Sequence, residues 1–224
     1  MACIDQDGSS PLATIVQIGS TGSVTVEQSG GPDQSAYVLQ GGSAGTVTIT
    51  QRQADGLVSS SPPLMQGLAD FTSLLAGALN FADVASHSAV VLQSSGAGNE
   101  ASVLQDVGNN AAYAEIGQLG SGNQADITQG LTQQGLEPNL ASIMQQGNRN
   151  EASLAQSGAG LNGAISQTGD SNSASLTQTG ISLPDVMIAQ SGGITFVTVG
   201  GDVLSIPGTS VTVTQTSGGV SSYP

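Results

Sequence analysis

One frame recurs along this chain: an asparagine, an alanine two residues later, an apolar residue two further on, then a glutamine and often a glycine. Residues 150–158 and 172–180 show the whole frame, and residues 99–105 show it as far as the glutamine. The frame returns about every eleven residues, and its polar and apolar positions alternate. Such a repeat predicts an array of similar units rather than a fold built around one catalytic pocket.

The alternation inside the frame predicts β-strands. Residues two and four positions before each glutamine are small or aliphatic, as with Ala125 and Ile127 before Gln129, and a period of two places them on one face of a strand. Between strands lie short segments of Gly, Asp, Asn and Ser, which favour tight turns. Aligning on the glutamine gives these candidate positions: Gln17, Gln28, Gln40, Gln51, Gln93, Gln105, Glu115, Gln129, Gln145, Gln156, Gln167, Gln178, Gln190 and Gln215. In the ambiguous stretch 109–122, either Glu115 or Gln118 can take the glutamine position.

These units, each of about eleven residues, predict an all-β fold: a flat two-sheet β-solenoid with two strands per coil. Residues 54–86 interrupt it. Ser61 before Pro62 and Pro63 is a helix-start signal, and apolar residues follow at helical spacing, so we expect one inserted amphipathic helix over 62–86 that covers an edge or a face. A transmembrane span has nearly the right length, but Gln66, Asp70, Asn80 and two glycines argue against it. The predicted segments are 1–53 (degenerate repeats), 54–86 (helical insert), 87–192 (repeats) and 193–224 (C-terminal strands and tail).

Composition excludes several function classes. The net charge is −14, and Arg52 and Arg149 are the only basic residues besides one histidine. Binding to a phosphate backbone needs clusters of Lys and Arg, so no nucleic-acid partner is expected, and anionic membranes are disfavoured as well. Aromatic residues are 3% and Gly numbers 32, which suits thin, closely stacked sheets better than a conventional core.

The reactive side chains do not form a catalytic or metal-binding set. Cys3 is the only cysteine and His87 the only histidine, so a zinc site lacks ligands and a catalytic triad lacks partners. We interpret His87 as a substitution at the start of a strand and Cys3 as part of a disordered terminus. No signal peptide is visible, because Met-Ala-Cys-Ile-Asp lacks a basic and an apolar region. We expect no enzyme activity, cofactor or metal.

The recurrent amides have a chemical purpose in stacked strands. A buried amide without a partner costs several kcal/mol, whereas identical amides one coil apart, about 4.8 Å, satisfy each other. Such a ladder requires repetition in register. The predicted ladder residues are Gln93, Asn99, Gln105, Asn123, Gln129, Asn139, Gln145, Asn150, Gln156, Gln167, Asn172 and Gln178. Leu161 at an asparagine position and Glu115 at a glutamine position are expected to weaken their coils.

The spacing of these amides resembles the repeat of the curlin family, whose form is Ser-x5-Gln-x-Gly-x-Gly-Asn-x-Ala-x3-Gln. Residues 118–129 match the part from the first glutamine onward, and residues 93–105, 145–152 and 167–174 resemble it with differences near the turn. The resemblance covers about residues 87–192 and is degenerate over 11–53. It implies secretion through an outer-membrane pore, a place outside the cell or on its surface, and self-assembly with copies and other curlin subunits into amyloid fibres of the biofilm matrix.

We therefore expect a structural subunit of an extracellular curli-like fibre that assembles by templated addition of β-coils. The sequence leaves open whether it is the main subunit, a nucleator or an accessory protein. The alternative is a monomeric β-solenoid, an adhesin or ice-binding module, whose helix stops growth at an edge.

Overall fold

The computed structural model describes residues 1–8, 11–19, 21–30, 34–53, 87–107, 112–130, 138–216 and 219–223. In these residues the strands are β1 (Ala2–Gly8), β2 (Leu12–Ile18), β3 (Ser23–Gly30), β4 (Gln34–Gly41), β5 (Thr46–Gln53), β6 (His87–Ser94), β7 (Glu100–Val107), β8 (Ala112–Leu119), β9 (Gln124–Gly130), β10 (Asn139–Gln146), β11 (Glu151–Ala159), β12 (Asn162–Thr168), β13 (Ser173–Ile181), β14 (Val186–Ser191), β15 (Ile194–Val199), β16 (Asp202–Pro207), β17 (Ser210–Thr216) and β18 (Gly219–Tyr223). The described residues contain no helix. The helix predicted over 62–86 lies outside them.

The strands form two sheets of nine strands each. Sheet A has the order β1-β3-β5-β7-β9-β11-β13-β17-β18, and sheet B has the order β16-β15-β14-β12-β10-β8-β6-β4-β2. From β1 to β14 the chain alternates between the sheets, and neighbouring strands within a sheet are parallel and in register. The predicted two-sheet β-solenoid is confirmed.

The C-terminal region changes this pattern. β15 pairs antiparallel with β14, and β16 pairs antiparallel with β15. On the other sheet, β17 continues the parallel order beside β13, and β18 then pairs antiparallel with β17. The last strands therefore fold back on the solenoid instead of adding further coils.

The core is a thin layer of small and branched side chains between the sheets. Alternate residues of each strand point inward, and columns of equivalent residues run along the solenoid. On sheet A one such column is Val26, Ile49, Val103, Ile127, Leu154, Leu176 and Val213, all buried. On sheet B the equivalent column is Ile15, Val38, Val91, Ile116, Ile143, Ile165 and Ile188, of which only Ile15, at the edge strand, is partly exposed. The residues predicted to share an inward face do so.

Turns between coils also stack closely. Gly120 and Gly147 adopt positive φ angles of 109° and 121°. A Cβ on Gly120 would lie 1.9 Å from the carbonyl oxygen of Gly147, and one on Gly147 would lie 2.1 Å from that of Gly169. Glycine is needed here because the backbones of successive turns are in contact.

The first residues are ordered, contrary to expectation. Cys3 lies in β1, which pairs along its whole length with β3, and Gln6 stands opposite Gln28. The prediction of a disordered terminus was wrong. Gln6 lies eleven residues before Gln17, so the repeat extends one strand further toward the N-terminus than the sequence alignment placed it.

Candidate functional site formed by the glutamine columns

A continuous column of glutamines runs through sheet A. Each Nε2 donates to the Oε1 of the next glutamine over 2.6 to 2.9 Å. Every member after the first is buried. The column consists of Gln6, Gln28, Gln51, Gln105, Gln129, Gln156, Gln178 and Gln215.

A second column runs through sheet B with the same direction of donation. Its links measure 2.7 to 2.9 Å, and its members are Gln17, Gln40, Gln93, Gln118, Gln145, Gln167 and Gln190. At its end the Nε2 of Gln190 donates to the Oγ1 of Thr195 at 3.1 Å.

The second hydrogen of most of these amides connects the two sheets. The Nε2 of Gln145 in sheet B donates to the backbone carbonyl of Gln124 in sheet A at 2.8 Å, and that of Gln156 in sheet A donates to the carbonyl of Leu140 in sheet B at 2.9 Å. The same contact recurs in most other coils. One glutamine thus uses its acceptor and both donors without water, which removes the cost of burying an amide.

The asparagine column lies on sheet A and connects the turns. The Nδ2 of Asn123 donates to the carbonyl of Gly147 at 2.9 Å, while its Oδ1 accepts from the backbone N–H of Asn150 at 3.0 Å. Asn99 and Asn150 make the same two contacts with the equivalent turn of the next coil. Each of these three asparagines therefore joins its own turn to the equivalent turn of the next coil through both ends of its amide.

On sheet B the equivalent position is occupied by an asparagine in one coil. Asn139 donates to the carbonyl of Gly158 at 3.0 Å and accepts from the N–H of Leu161 at 3.1 Å. The strands pair from Gly163 and Val186 onward, and Asn162 donates to the carboxylate of Asp185. Continued by one more residue, this register brings Leu161 to Pro184, which has no N–H to donate. Leucine suits this position because an asparagine Oδ1 here would find no backbone donor in the next coil.

The twelve predicted ladder residues lie in the two glutamine columns and in the asparagine contacts on the two sheets, where Asn172 is the last asparagine of sheet A and donates to the Oδ1 of Asn150. Gln118, not Glu115, occupies the glutamine position of β8, because its Oε1 accepts from Gln93 and its Nε2 donates to Gln145. Of the two candidates for this position, Glu115 is therefore the wrong one, and it does not weaken its coil by standing in the column. Sequence reasoning also missed Gln6 as the first member.

Glu115 lies instead on the outward side of sheet B, yet it is buried. Its neighbours in register are Val90 and Ser142, and both are buried as well. Burial raises the pKa of the Glu115 carboxyl, and a hydrogen bond of 3.3 Å from the Tyr113 hydroxyl offsets this only in part. Burial, together with the nearby Glu115 charge, also raises the pKa of Tyr113.

Other side chains with chemical potential do not assemble into a site. Among the described residues, no group of three or more His, Cys, Asp and Glu is placed to hold a metal ion. Glu100, Asp126 and Glu151 are exposed and line a shallow groove on sheet A. His87 begins β6, opposite Gln34. No helix in the described part of the chain is long and apolar enough to cross a membrane.

Comparison with known proteins identifies the repeat. The model of the curlin associated repeat matches residues 1–30, 139–161 and 147–180. A search of curated proteins and a search of solved structures each found no match. The matched segments contain β1 to β3 and β10 to β12, with nearly all of β13, so they contribute glutamines to both columns. The chain thus carries curlin associated repeats, which supports its assignment to the curlin family, a structural rather than an enzymatic family.

Proposed function

We propose that this protein is a structural subunit of an extracellular curli-type fibre, which it joins by stacking its coils on those of a neighbouring subunit. The observation that carries the proposal is the pair of unbroken glutamine columns. An amide in such a column is satisfied by another amide one coil away, so the end of a column is a template for a further coil. Unpaired strand edges supply the matching backbone donors and acceptors.

Each ladder contact contributes about 0.5–1.5 kcal/mol net, so a single coil is not held by its amides alone. Stability comes from many coils in register, as in this chain, where two columns and a thin apolar core run in parallel. A fibre extends the same arrangement between chains. The register is enforced because a slip by one residue would turn the amides outward and the acidic positions inward.

The family assignment supports a place outside the cell, secretion through an outer-membrane pore, and assembly with copies of itself and with other curlin subunits in a biofilm matrix. Within the fibre, the chain serves as the main subunit, as a nucleator or as an accessory subunit. The net charge of −14 keeps the monomer soluble before assembly.

Fibre formation tests the proposal directly. Purified protein is held at neutral pH and micromolar concentration for several days, alone and with a peptide of residues 150–171, which form one complete coil. We expect thioflavin fluorescence, filaments in electron micrographs that contain the protein, and a diffraction reflection near 4.7 Å. Soluble protein without that reflection under both conditions would reject the proposed function.

A second candidate function is a monomeric β-solenoid that serves as an adhesin or ice-binding module. It is favoured by one observation: β15, β16 and β18 fold back antiparallel at the C-terminal end. A particle that stays monomeric under both conditions, and that binds ice or a surface, would support this candidate instead.

A further inference from the structure

The two ends of the described solenoid differ in their hydrogen-bonding chemistry. At the C-terminal end of sheet B, Gln190 donates to the Oγ1 of Thr195, and the Thr195 hydroxyl donates to the carbonyl of Gly208 at 3.0 Å. A hydroxyl replaces the amide, and the next strand places Ile206 opposite Thr195. The column therefore ends inside the protein.

Sheet A ends in a similar way. The Nε2 of Gln215 donates to the carbonyl of Pro184 at 2.8 Å. The next strand, β18, runs antiparallel to β17 and places Val220 opposite Gln215 in backbone register. Neither edge strand at this end carries a glutamine at the column position.

At the N-terminal end of the solenoid, each column begins with a glutamine whose side-chain oxygen is free to accept a hydrogen bond. Gln6 and Gln17 donate to Gln28 and Gln40, and among the described residues no donor reaches their own Oε1 atoms. The inward side of β1 is open as well: Ile4 is 47% exposed, whereas Val26, its equivalent in the next coil, is fully buried. In every later coil of sheet A, the apolar residue equivalent to Ile4 is buried.

We propose that the edge formed by β1 and β2 binds a parallel two-strand coil of a partner curlin repeat, whose two glutamines donate to Gln6 and Gln17, and that the C-terminal end does not accept such a coil. This inference rests on the proposed function and adds a direction to it. The chain joins a fibre through its β1–β2 edge and ends the fibre at its C-terminal side.

A second copy of the chain is a poorer occupant of this edge. Stacked end to end, its β16 and β18 would bring the positions of Ile206 and Val220 to the columns of Gln17 and Gln6. The two Oε1 atoms would then be buried without donors, which is costly. The favoured occupant is therefore a chain whose last coil carries a glutamine in both strands, as β11 and β12 do in this one.

A contact-range fluorescence experiment locates the binding end. Cys3 is the only cysteine, it is exposed on β1, and the chain contains no Trp. A bimane group on Cys3 therefore meets no Trp of its own chain, and an added decrease in its fluorescence reports a Trp that arrives from outside. The probe is the peptide of residues 150–171 with Ser153→Trp, because Ser153 occupies the same outward column as Cys3. The matched control is the full chain with Cys3→Ser and Ser205→Cys, which moves the label to exposed β16. It is read with the peptide that carries Ser166→Trp instead, because Ser166 lies on the sheet-B strand of the peptide in the register column of Ser205.

We expect saturable quenching of bimane at Cys3 and none at position 205. Quenching at position 205 equal to or stronger than that at Cys3, or no quenching at either, would overturn the proposal. Unlabelled full chain is then added as a competitor. We expect it to displace the peptide only weakly, and displacement as strong as by unlabelled peptide would show that a second copy is the occupant.

Variants test the amide contacts. Gln156→Leu with Gln167→Leu in the peptide removes both donors without changing the protein, and we expect binding to weaken about tenfold. Gln6→Leu with Gln17→Leu in the chain should have a similar effect, whereas Thr14→Ser, exposed on β2, should have none. Unchanged affinity in the peptide variant would contradict the ladder contact. If mixed fibres form but Cys3 is not quenched, the direction is wrong and the proposed function stands.

Discussion

The side-chain amide of Gln129 donates to the Oε1 of Gln156 at 2.9 Å, across 27 residues of sequence. The same Nε2 also contacts the backbone carbonyls of Tyr113 and Asn139, at 3.1 and 3.3 Å, on the facing sheet. The amide thus joins two coils and two sheets. Because Gln105 donates to it in turn, removing it leaves unpaired groups on both sides.

Gln129→Leu should therefore lower the free energy of unfolding by about 2–4 kcal/mol, since buried donors and acceptors lose their partners. Urea denaturation followed by circular dichroism measures the change. Gln124→Leu is the matched control, because Gln124 is exposed on the same strand, and its effect should stay within about 0.5 kcal/mol. Equal effects of the two substitutions would show that the column does not stabilise the fold.

The stacked turns allow a second test. Gly120 and Gly98 both have positive φ, but a Cβ on Gly98 would meet nothing within 4 Å, whereas one on Gly120 would lie 1.9 Å from a carbonyl oxygen. Gly98→Ala should cost about 1 kcal/mol from backbone strain alone. Gly120→Ala should cost at least about 2 kcal/mol more, because two backbones must separate. Similar melting temperatures for the two variants would contradict the close stacking of turns.

Leu161 supplies a third prediction. Although asparagine is the frame residue here, Leu161→Asn should destabilise the protein by about 2–4 kcal/mol, because the opposite residue, Pro184, has no N–H for the new Oδ1. Adding Pro184→Ala restores that donor, so the double variant should recover part of the loss. A double-mutant cycle from urea denaturation gives the coupling. A stabilised single variant, or a coupling of zero, would refute this explanation.

The sequence predicts the columns well because the period of two fixes which side chains share a face, and a buried amide then needs an equivalent one in the next coil. It does not predict the direction of donation, because glutamine is the same residue whichever way its amide points. Sequence alone also leaves open whether Glu115 or Gln118 takes the glutamine position. Because the turns vary in length, the spacing of the repeat does not decide which of these two polar residues points inward. Only the contacts of Gln118 with its neighbours resolve this.

The C-terminal strands show a different limit. Gly192-Gly193 and Gly200-Gly201 are two-residue hairpin signals with positive φ, and the sequence predicts C-terminal strands within 193–224. β16 and β18, however, carry no glutamine frame, so the repeat gave no reason to expect them. Their role in ending both columns depends on antiparallel pairing, which is a long-range property of the fold.

Glu115 offers a test that depends on pH. Among the described residues, the groups that adjoin it in register are the apolar Val90 and the hydroxyl of Ser142, and Tyr113 is the titratable group that contacts it. Burial raises its pKa in the folded protein above the unfolded value. The folded state therefore binds the proton more tightly, so Glu115 lowers stability as the pH rises through its unfolded pKa, and the loss is complete above its folded pKa.

Glu115→Gln keeps an acceptor for Tyr113 and removes the charge. We expect its melting temperature to exceed that of the wild type near neutral pH and the difference to vanish at about pH 4, where the unfolded carboxyl is itself largely protonated. Glu151→Gln, at an exposed position of β11, is the control and should show no such pH-dependent gain. A Glu115→Gln variant that is less stable than wild type near neutral pH would mean that the carboxylate is held charged by a favourable partner, against the burial that the structure shows.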